Sequence, residues 1–317
     1  MAEICLALDG TAIPSAVARW FDDHDVAWSA FDPAVRSDAR ALVVGGFTPV
    51  GDAELSGLAQ LELVVRTGAG YEHVDLDALE RNGVVLVAPR LEDDPSVPEF
   101  VIGSVIAVLR HVLPADAAAR AGDWGFRDRV RGRELHGRTF GIVGVGRIGS
   151  QVGRLARAFG CRVIAWHPWS NRELPEGMER VGSLEELLGA ADVVSLHCRL
   201  DGSTRNLIDA EALRRMRPGS IFVNTARGGL VDEDALVAAC RTGTIAGAVV
   251  DTFRGEPAPV TEAFGDLENI LLAPHIAGMT EESVARLAQF VGEVCCEYLE
   301  RSELPKHHVV NQVPQGG

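Results

Sequence analysis

The apolar positions of this chain fall into short β-type runs separated by segments with helical spacing. The run that organises the others is Thr139–Val143, which leads through Gly144, Gly146 and Gly149, spaced GxGxxG, to apolar positions at Ile148, Val152, Leu155 and Phe159. Intervals of four, three and four place these on one stripe of a helix. The stretch therefore predicts a strand, a tight turn and a helix, with a second strand over Arg162–Trp166. Glycine suits such a turn because the backbone needs unusual dihedrals there. Only a bare backbone also lets a pyrophosphate approach the helix N-terminus, where N–H groups and the helix dipole favour negative charge. A glycine-rich turn kept for close helix packing is the competing reading; the strand-to-helix context favours a dinucleotide site.

Upstream, strands are expected over residues 4–8, 41–44, 61–66 and 84–87, with a helix over 15–21. Strands alternating with helices imply a parallel sheet covered on both faces. The loop RTGAGYEHVD after Val65 contains Gly68, Ala69 and Gly70, whose backbone N–H groups fit either an anion-binding nest or a plain turn. Residues 96–111 predict a largely buried helix with Pro98 in its first turn and Glu99 near its start, suited to connect two domains. The arginine-rich stretch 127–133 that follows reads as a solvated hinge surface.

Beyond the glycine motif the pattern is more legible still. Ser183 with Glu186 forms a capping box before a helix, Asp209 caps EALRRM, and Asp232 caps a helix that Gly243 stops. Strands are expected over Val193–Leu196 and residues 220–224, 245–250 and 270–273, and a last helix over 281–300. Each strand is followed at once by a polar or glycine position: Gly144, His167, His197 to Arg199, Thr225 and Arg227, Asp251, and His275. In a parallel sheet these carboxyl ends share one edge, where ligands bind.

The composition is that of a globular protein: 317 residues, 47% hydrophobic and 24% charged. This length accommodates two domains. A net charge of −15 argues against a nucleic-acid partner. The opening MAEICLALDG carries acids in place of the basic segment of a secretory signal, and no apolar run approaches the roughly 20 residues of a membrane span. Cys5, Cys161, Cys198, Cys240, Cys295 and Cys296 lack metal-ligand spacing and sit mostly in apolar runs. A cytoplasmic protein with no resident metal is expected.

The stretches TGAGYEHVD, GIVGVGRIG, DVVSLH, RPGSIFVNTARGGLVDEDAL, GAVVDTFRGEP and APHIAGMT resemble, in order and spacing, the motif series of the D-isomer-specific 2-hydroxyacid dehydrogenases. The likeness is closest in kind to the glyoxylate and hydroxypyruvate reductases. It implies two Rossmann-like or flavodoxin-like α/β domains with parallel sheets and a cleft between them. Residues 1–100 plus 288–317 would form the substrate domain, and 101–287 the dinucleotide domain.

It also implies reversible hydride transfer between NAD(P)H and a 2-oxo acid, giving a D-2-hydroxy acid, in a homodimer. Arg227 would hold the substrate carboxylate and polarise its carbonyl, His275 would give or take the proton, and Glu256 would orient the imidazole. The backbone of Ala69 and Gly70 would grip the substrate carboxylate. For the cofactor, the resemblance implies Gly144, Gly146, Arg147, Ile148 and Gly149 at the pyrophosphate. Thr204, Thr225, Ala226, Asp251, His275 and Gly278 would line the remainder, with Asp251 on the nicotinamide carboxamide. Glu256 in place of glutamine argues against the formate dehydrogenase branch.

Three positions depart from the family pattern. Where NAD-dependent relatives place an aspartate for the adenosine ribose, this chain has His167, followed by Ser170, Asn171 and Arg172. Loss of the acid removes the repulsion that excludes a 2′-phosphate, which favours NADP over NAD. Arg199 replaces a common proline and fits either a second phosphate partner or a surface position. Pro98 and Phe100 alter the substrate pocket, which also draws on Tyr71 and the segment near Met279. The other readings that these motifs admit are a nucleotide-sensing corepressor-like protein and a dehydrogenase of a non-carboxylate anion such as phosphite.

Overall fold

The computed structural model describes residues 3–7, 12–32, 38–91, 94–171, 173–257, 264–265 and 267–311. The chain divides into two compact units, one formed by Met1–Glu92 with Met279–Gly317 and the other by Asp93–Gly278.

The first unit contains β1 (Ile4–Leu6), α1 (Ala12–Asp23), β2 (Trp28–Ala30), β3 (Ala41–Val44), α2 (Asp52–Leu55), β4 (Leu63–Arg66), α3 (Leu76–Arg81) and β5 (Val85–Val87). Its strands lie in the order β2-β1-β3-β4-β5, all parallel. Both faces are apolar, so the side-chain period of two assigns alternate residues to different layers. Ile4, Leu6, Ala41, Val43, Leu63 and Val65 pack on one side against Val17 and Phe21, together with Val291 and Cys295 of the last helix. Cys5, Leu42, Val44 and Val64 pack on the other against Leu55, Ala78 and Leu79.

The second unit opens with α4 (Ser96–Leu109), α5 (Val112–Arg120) and α6 (Phe126–Arg129). It continues through β6 (Thr139–Val143), α7 (Arg147–Ala158), β7 (Arg162–Trp166), β8 (Met178–Arg180), α8 (Leu184–Ala190) and β9 (Val193–Leu196). It closes with α9 (Ala210–Arg215), β10 (Ile221–Asn224), α10 (Glu233–Arg241), β11 (Gly247–Val250) and β12 (Ile270–Leu272); α11 (Glu281–Arg301) belongs to the first unit. The sheet order is β12-β11-β10-β9-β6-β7-β8, again all parallel. Its strand order reverses between β6 and β9, the switch point at which such sheets bind ligands. Phe140, Ile142, Val163, Val193 and Val223 face Val101, Val105, Val152 and Ala156. Val143, Ile164, Val194, Leu196 and Phe222 face Leu187, Leu213 and Leu236.

The units meet the chain at 92/93 and 278/279, where the sequence placed the divisions at 100/101 and 287/288. Helix integrity is the physical reason. Helix α4 is continuous from Ser96, and its Val101, Ile102 and Val105 share one core with β6. Helix α11 is continuous from Glu281, and an added Cβ on its Gly292 would stand 2.2 Å from the Trp20 ring of α1.

The caps at Asp209 and Asp232 form as expected, accepting N–H groups of Ala212 and Ala235. At α8 the box is displaced by one residue. Ser183 accepts from Glu186 N–H at 3.1 Å, while the Glu186 carboxylate accepts from Gly182 rather than from Ser183. Among the described residues, no single helix is long and apolar enough to cross a membrane.

Candidate active site

Because every strand of the second unit is parallel, the residues after β6, β7, β9, β10, β11 and β12 lie along one edge of the sheet. At the first of these, Gly144 has φ +93°, and a Cβ there would stand 2.8 Å from the His197 carbonyl oxygen. A Cβ on Gly149 would stand 2.2 Å from the Gly144 oxygen. Both positions are closed to side chains by packing within the turn. Gly146 differs: nothing lies within 4 Å of its would-be Cβ. Packing therefore explains two of the three glycines, and open space before the N-terminus of α7 remains above the third. The first N–H groups of α7, at Arg147 and Ile148, have no acceptor within their own helix.

Thr225, just beyond β10, is 9% exposed, and its Oγ1 is buried without a hydrogen-bond partner. An orphaned hydroxyl and an open glycine cradle on one sheet edge fit a bound dinucleotide. Thr204 is engaged by its own loop. Its hydroxyl donates to the Arg199 carbonyl at 2.7 Å and accepts from Asp201 N–H at 2.8 Å, which closes its own loop. Arg199 itself is exposed.

Arg227 follows the same turn as Thr225 and Ala226, and is half-buried. Its guanidinium donates to the Ala226 carbonyl at 2.6 Å. Asn224, 1% exposed, holds the turn from beneath through hydrogen bonds to the Ala226 N–H and the Arg227 carbonyl.

His275 lies three residues past β12, and its Nδ1 stands 3.0 Å from Glu256 Oε1. The Glu256 carboxylate accepts there from Nδ1–H, which fixes the orientation of the ring. The imidazole is 39% exposed and the carboxylate 17%, so the ring is reachable while its orienting partner is sheltered. His275 has φ +57°, a left-handed conformation uncommon for a side-chain-bearing residue. Asp251 holds it there. This residue is 0% exposed, its carboxylate accepts from Ile276 N–H at 2.7 Å and Ala277 N–H at 3.1 Å, and its carbonyl accepts from His275 N–H at 2.8 Å. Burial pushes the Asp251 carboxyl above its ordinary range, and those two amides oppose the shift. Gly278 closes this segment, 3.7 Å from Val97 when given a Cβ.

At the end of β7 the structure adds a group that motif reading overlooks. Arg180, on neighbouring β8, donates from Nη1 to the His167 carbonyl at 2.9 Å and reaches the Ser170 carbonyl at 3.4 Å. Its signal was tertiary, the pairing of Ala165 with Arg180 across β7 and β8. Burial, and then Arg180, lower the His167 pKa, so the ring is neutral at pH 7; its Nδ1 is buried without a partner. Arg172 lies outside the described residues. Pro98 is buried in α4, and Phe100 packs partly into the core beside it.

In the first unit, the turn carrying Ala69 and Gly70 stands on Arg66, 1% exposed and among the largest fully buried side chains of the chain. Its guanidinium donates to the carbonyls of Gly45, Gly46 and Gly70, the last two at 2.7 and 2.9 Å. Ala69 is exposed at the tip. Tyr71 packs partly against the core and Met279 is 37% exposed.

Comparison with known proteins now decides the family. The profile of the D-isomer-specific 2-hydroxyacid dehydrogenase NAD-binding domain matches residues 102–277. The chain belongs to this family. It is 37% identical over 251 residues to the (S)-sulfolactate dehydrogenase of Chromohalobacter salexigens, covering 78% of this chain and 81% of that enzyme. It is 36% identical over 282 residues to the D-3-phosphoglycerate dehydrogenase of Methanocaldococcus jannaschii, covering 88% of this chain but 53% of that one, so the chain spans about half the length of that relative. Among solved structures, the TT0316 protein of Thermus thermophilus matches with a TM-score of 0.86 at 31% identity, covering 97% of this chain and 99% of that one.

One electrostatic consequence of the glycine turn is measurable. His197 packs against Gly149, and its Nε2 is hydrogen-bonded to Ser195 at 2.9 Å; burial pushes its pKa down to about 3. The unfolded chain takes up a proton near pH 6.5 that the native imidazole refuses, so stability is complete above pH 6.5 and declines as pH falls toward 3. Solvent still reaches part of the residue, so the expected loss attributable to His197 between pH 7 and pH 5 is about 1 kcal/mol. Urea unfolding at both pH values measures it. His197→Gln flattens the pH dependence by that amount, and an unchanged slope would refute the assignment.

Proposed function

We propose that this chain is an NAD(P)-dependent reductase of small 2-oxo acids, reversible toward D-2-hydroxy acids. The observation that carries the reading is the 3.0 Å pair of His275 Nδ1 with Glu256, at the strand edge that also holds Arg227. A bound nicotinamide supplies or accepts the hydride. Arg227 binds the substrate carboxylate and carbonyl oxygen and stabilises the charge that grows on that oxygen. His275 Nε2 delivers the proton to the same oxygen, with Glu256 accepting from Nδ1–H to steady the ring and balance its charge. Ala69 and Gly70 offer backbone N–H groups to the substrate carboxylate, a role supported by the buried cation beneath their turn. The expected substrates are glyoxylate, hydroxypyruvate and close relatives, a class supported by the 36% identity to the glyoxylate reductase of Korarchaeum cryptofilum. Replacing the imidazole tests the assignment. His275→Ala is expected to lower 2-oxo acid turnover by about 10²- to 10⁴-fold with the Kd for NAD(P)H unchanged; retained turnover would refute it.

The same reading favours NADP over NAD. Support comes from a neutral His167 where an acid would repel a 2′-phosphate, and from Arg180 bonded beneath the His167 and Ser170 carbonyls. Parallel fluorescence titration should show NADPH binding more tightly than NADH. Arg180→Ala should narrow the preference by about tenfold, on the scale of one charge-assisted phosphate contact; tighter NADH binding by the unaltered protein contradicts the proposal.

A homodimer completes it. Helix α5 has no buried residue, and Val112, Leu113 and the following Trp124 are 47%, 54% and 80% exposed, an apolar surface for a second copy to cover. Sedimentation equilibrium should return twice the chain mass of 33.9 kDa, and Trp124→Asp should shift it toward the monomer. A monomer at micromolar concentration removes this part of the reading.

A further inference from the structure

Asn224 is the last residue of β10, is 1% exposed, and directs both ends of its amide into the turn that follows. Oδ1 accepts from Ala226 N–H at 3.1 Å, and Nδ2 donates to the Arg227 carbonyl at 2.9 Å. The side chain thereby fixes the turn from two points, with its own desolvation compensated. Beyond it, a Cβ on Gly228 would lie 2.0 Å from the Phe253 carbonyl carbon, so the far side of the turn rests on the backbone that leads to Glu256.

The links continue through the main chain. The carbonyl of Asn224 accepts from Asp251 N–H at 2.9 Å, and the carbonyl of Asp251 accepts from His275 N–H at 2.8 Å. Three hydrogen bonds in series thus join the backbone of Arg227 to that of His275 across the ends of β10 and β11. Two of these are main-chain bonds that any sequence can make. The third depends on the asparagine amide.

We propose that Asn224 is a positioning residue that sets where Arg227 stands with respect to His275, and that it acts on the rate only through Arg227. The proposal rests on the function assigned above. In this arrangement a side chain that cannot donate to the Arg227 carbonyl frees the turn between Thr225 and Gly228. The guanidinium then spends less time where the substrate oxygen develops charge, and kcat falls by a larger factor than cofactor affinity, because the Gly144–Gly149 turn is untouched.

A double-mutant cycle on the full chain tests this, with glyoxylate or hydroxypyruvate reduction as readout alongside the NAD(P)H Kd and the thermal midpoint. Asn224→Ala is expected to lower kcat by about tenfold or more, a larger factor than any rise in cofactor Kd that follows from loosening Thr225 and Ala226. In an Arg227→Ala background the same change is expected to cost less than about twofold, because the group it positions is gone. Asn224→Asp keeps the acceptor and the size but loses the donated bond, and should share the kcat defect, again larger than any change in cofactor Kd. Multiplying effects in the cycle, or a defect confined to cofactor binding, would overturn the proposal. Failure of both Asn224 variants to give soluble protein would overturn it too, making the residue a requirement of folding. The Arg227→Ala single variant is read first: undiminished turnover there refutes the functional reading itself and withdraws this inference with it.

Discussion

A carboxylate with no exposed surface must find hydrogen-bond donors or give up its charge, and this constraint on Asp251 shapes the candidate site. Its oxygens are satisfied by consecutive backbone amides, Ile276 and Ala277. Those amides converge on one carboxylate because the preceding residue, His275, adopts a left-handed conformation at φ +57°. The cost of that backbone is of the order of 1 kcal/mol, less than the cost of leaving a buried carboxylate unpaired. The imidazole is then presented outward with Glu256 behind it. Burial of Asp251 and the direction of the His275 ring are thus one structural fact.

How much of this the sequence disclosed depended on whether the signal was local. The GxGxxG turn, the Asp209 and Asp232 caps and the long apolar runs of β6, β9 and β10 are set by near neighbours, and all are readable from spacing. Strands β2 and β8 are three residues each, and only pairing with β1 and β7 makes them strands. The displaced cap at Glu186 turns on the choice between two adjacent amides, which pattern matching does not resolve. Residues 100 and 288 lie inside continuous helices, and the true divisions follow the packing of whole helices.

The site shows the same division. Arg227, Glu256 and His275 stand in motifs whose chemistry is local to their own loops. Arg180 and Arg66 are legible only when distant backbone is brought to them, since both act on carbonyl oxygens, which carry no residue identity, whereas Asn224 bonds backbone groups only two and three residues ahead. Thr204 illustrates the converse. Its motif position points to a ligand, and its hydroxyl also bonds Arg199 and Asp201 inside the 199–204 loop, whereas the buried Thr225 hydroxyl has no hydrogen-bond partner.

Charge follows locality as well. A chain with a net charge of −15 repels anions at long range, but salt screens that field within about 10 Å, and the groups nearest the turns decide what binds. Glu179 beside Arg180 is engaged by Arg162, and the Arg180 guanidinium donates to the His167 carbonyl at the end of β7. Arg66 likewise donates to the carbonyls of Gly45, Gly46 and Gly70. Carbonyl dipoles solvate a cation without cancelling its unit charge, so such bonds leave each guanidinium a source of local positive potential. Net charge therefore sets the field far from the protein, while individual guanidinium groups fixed beneath the turns set the potential close to them.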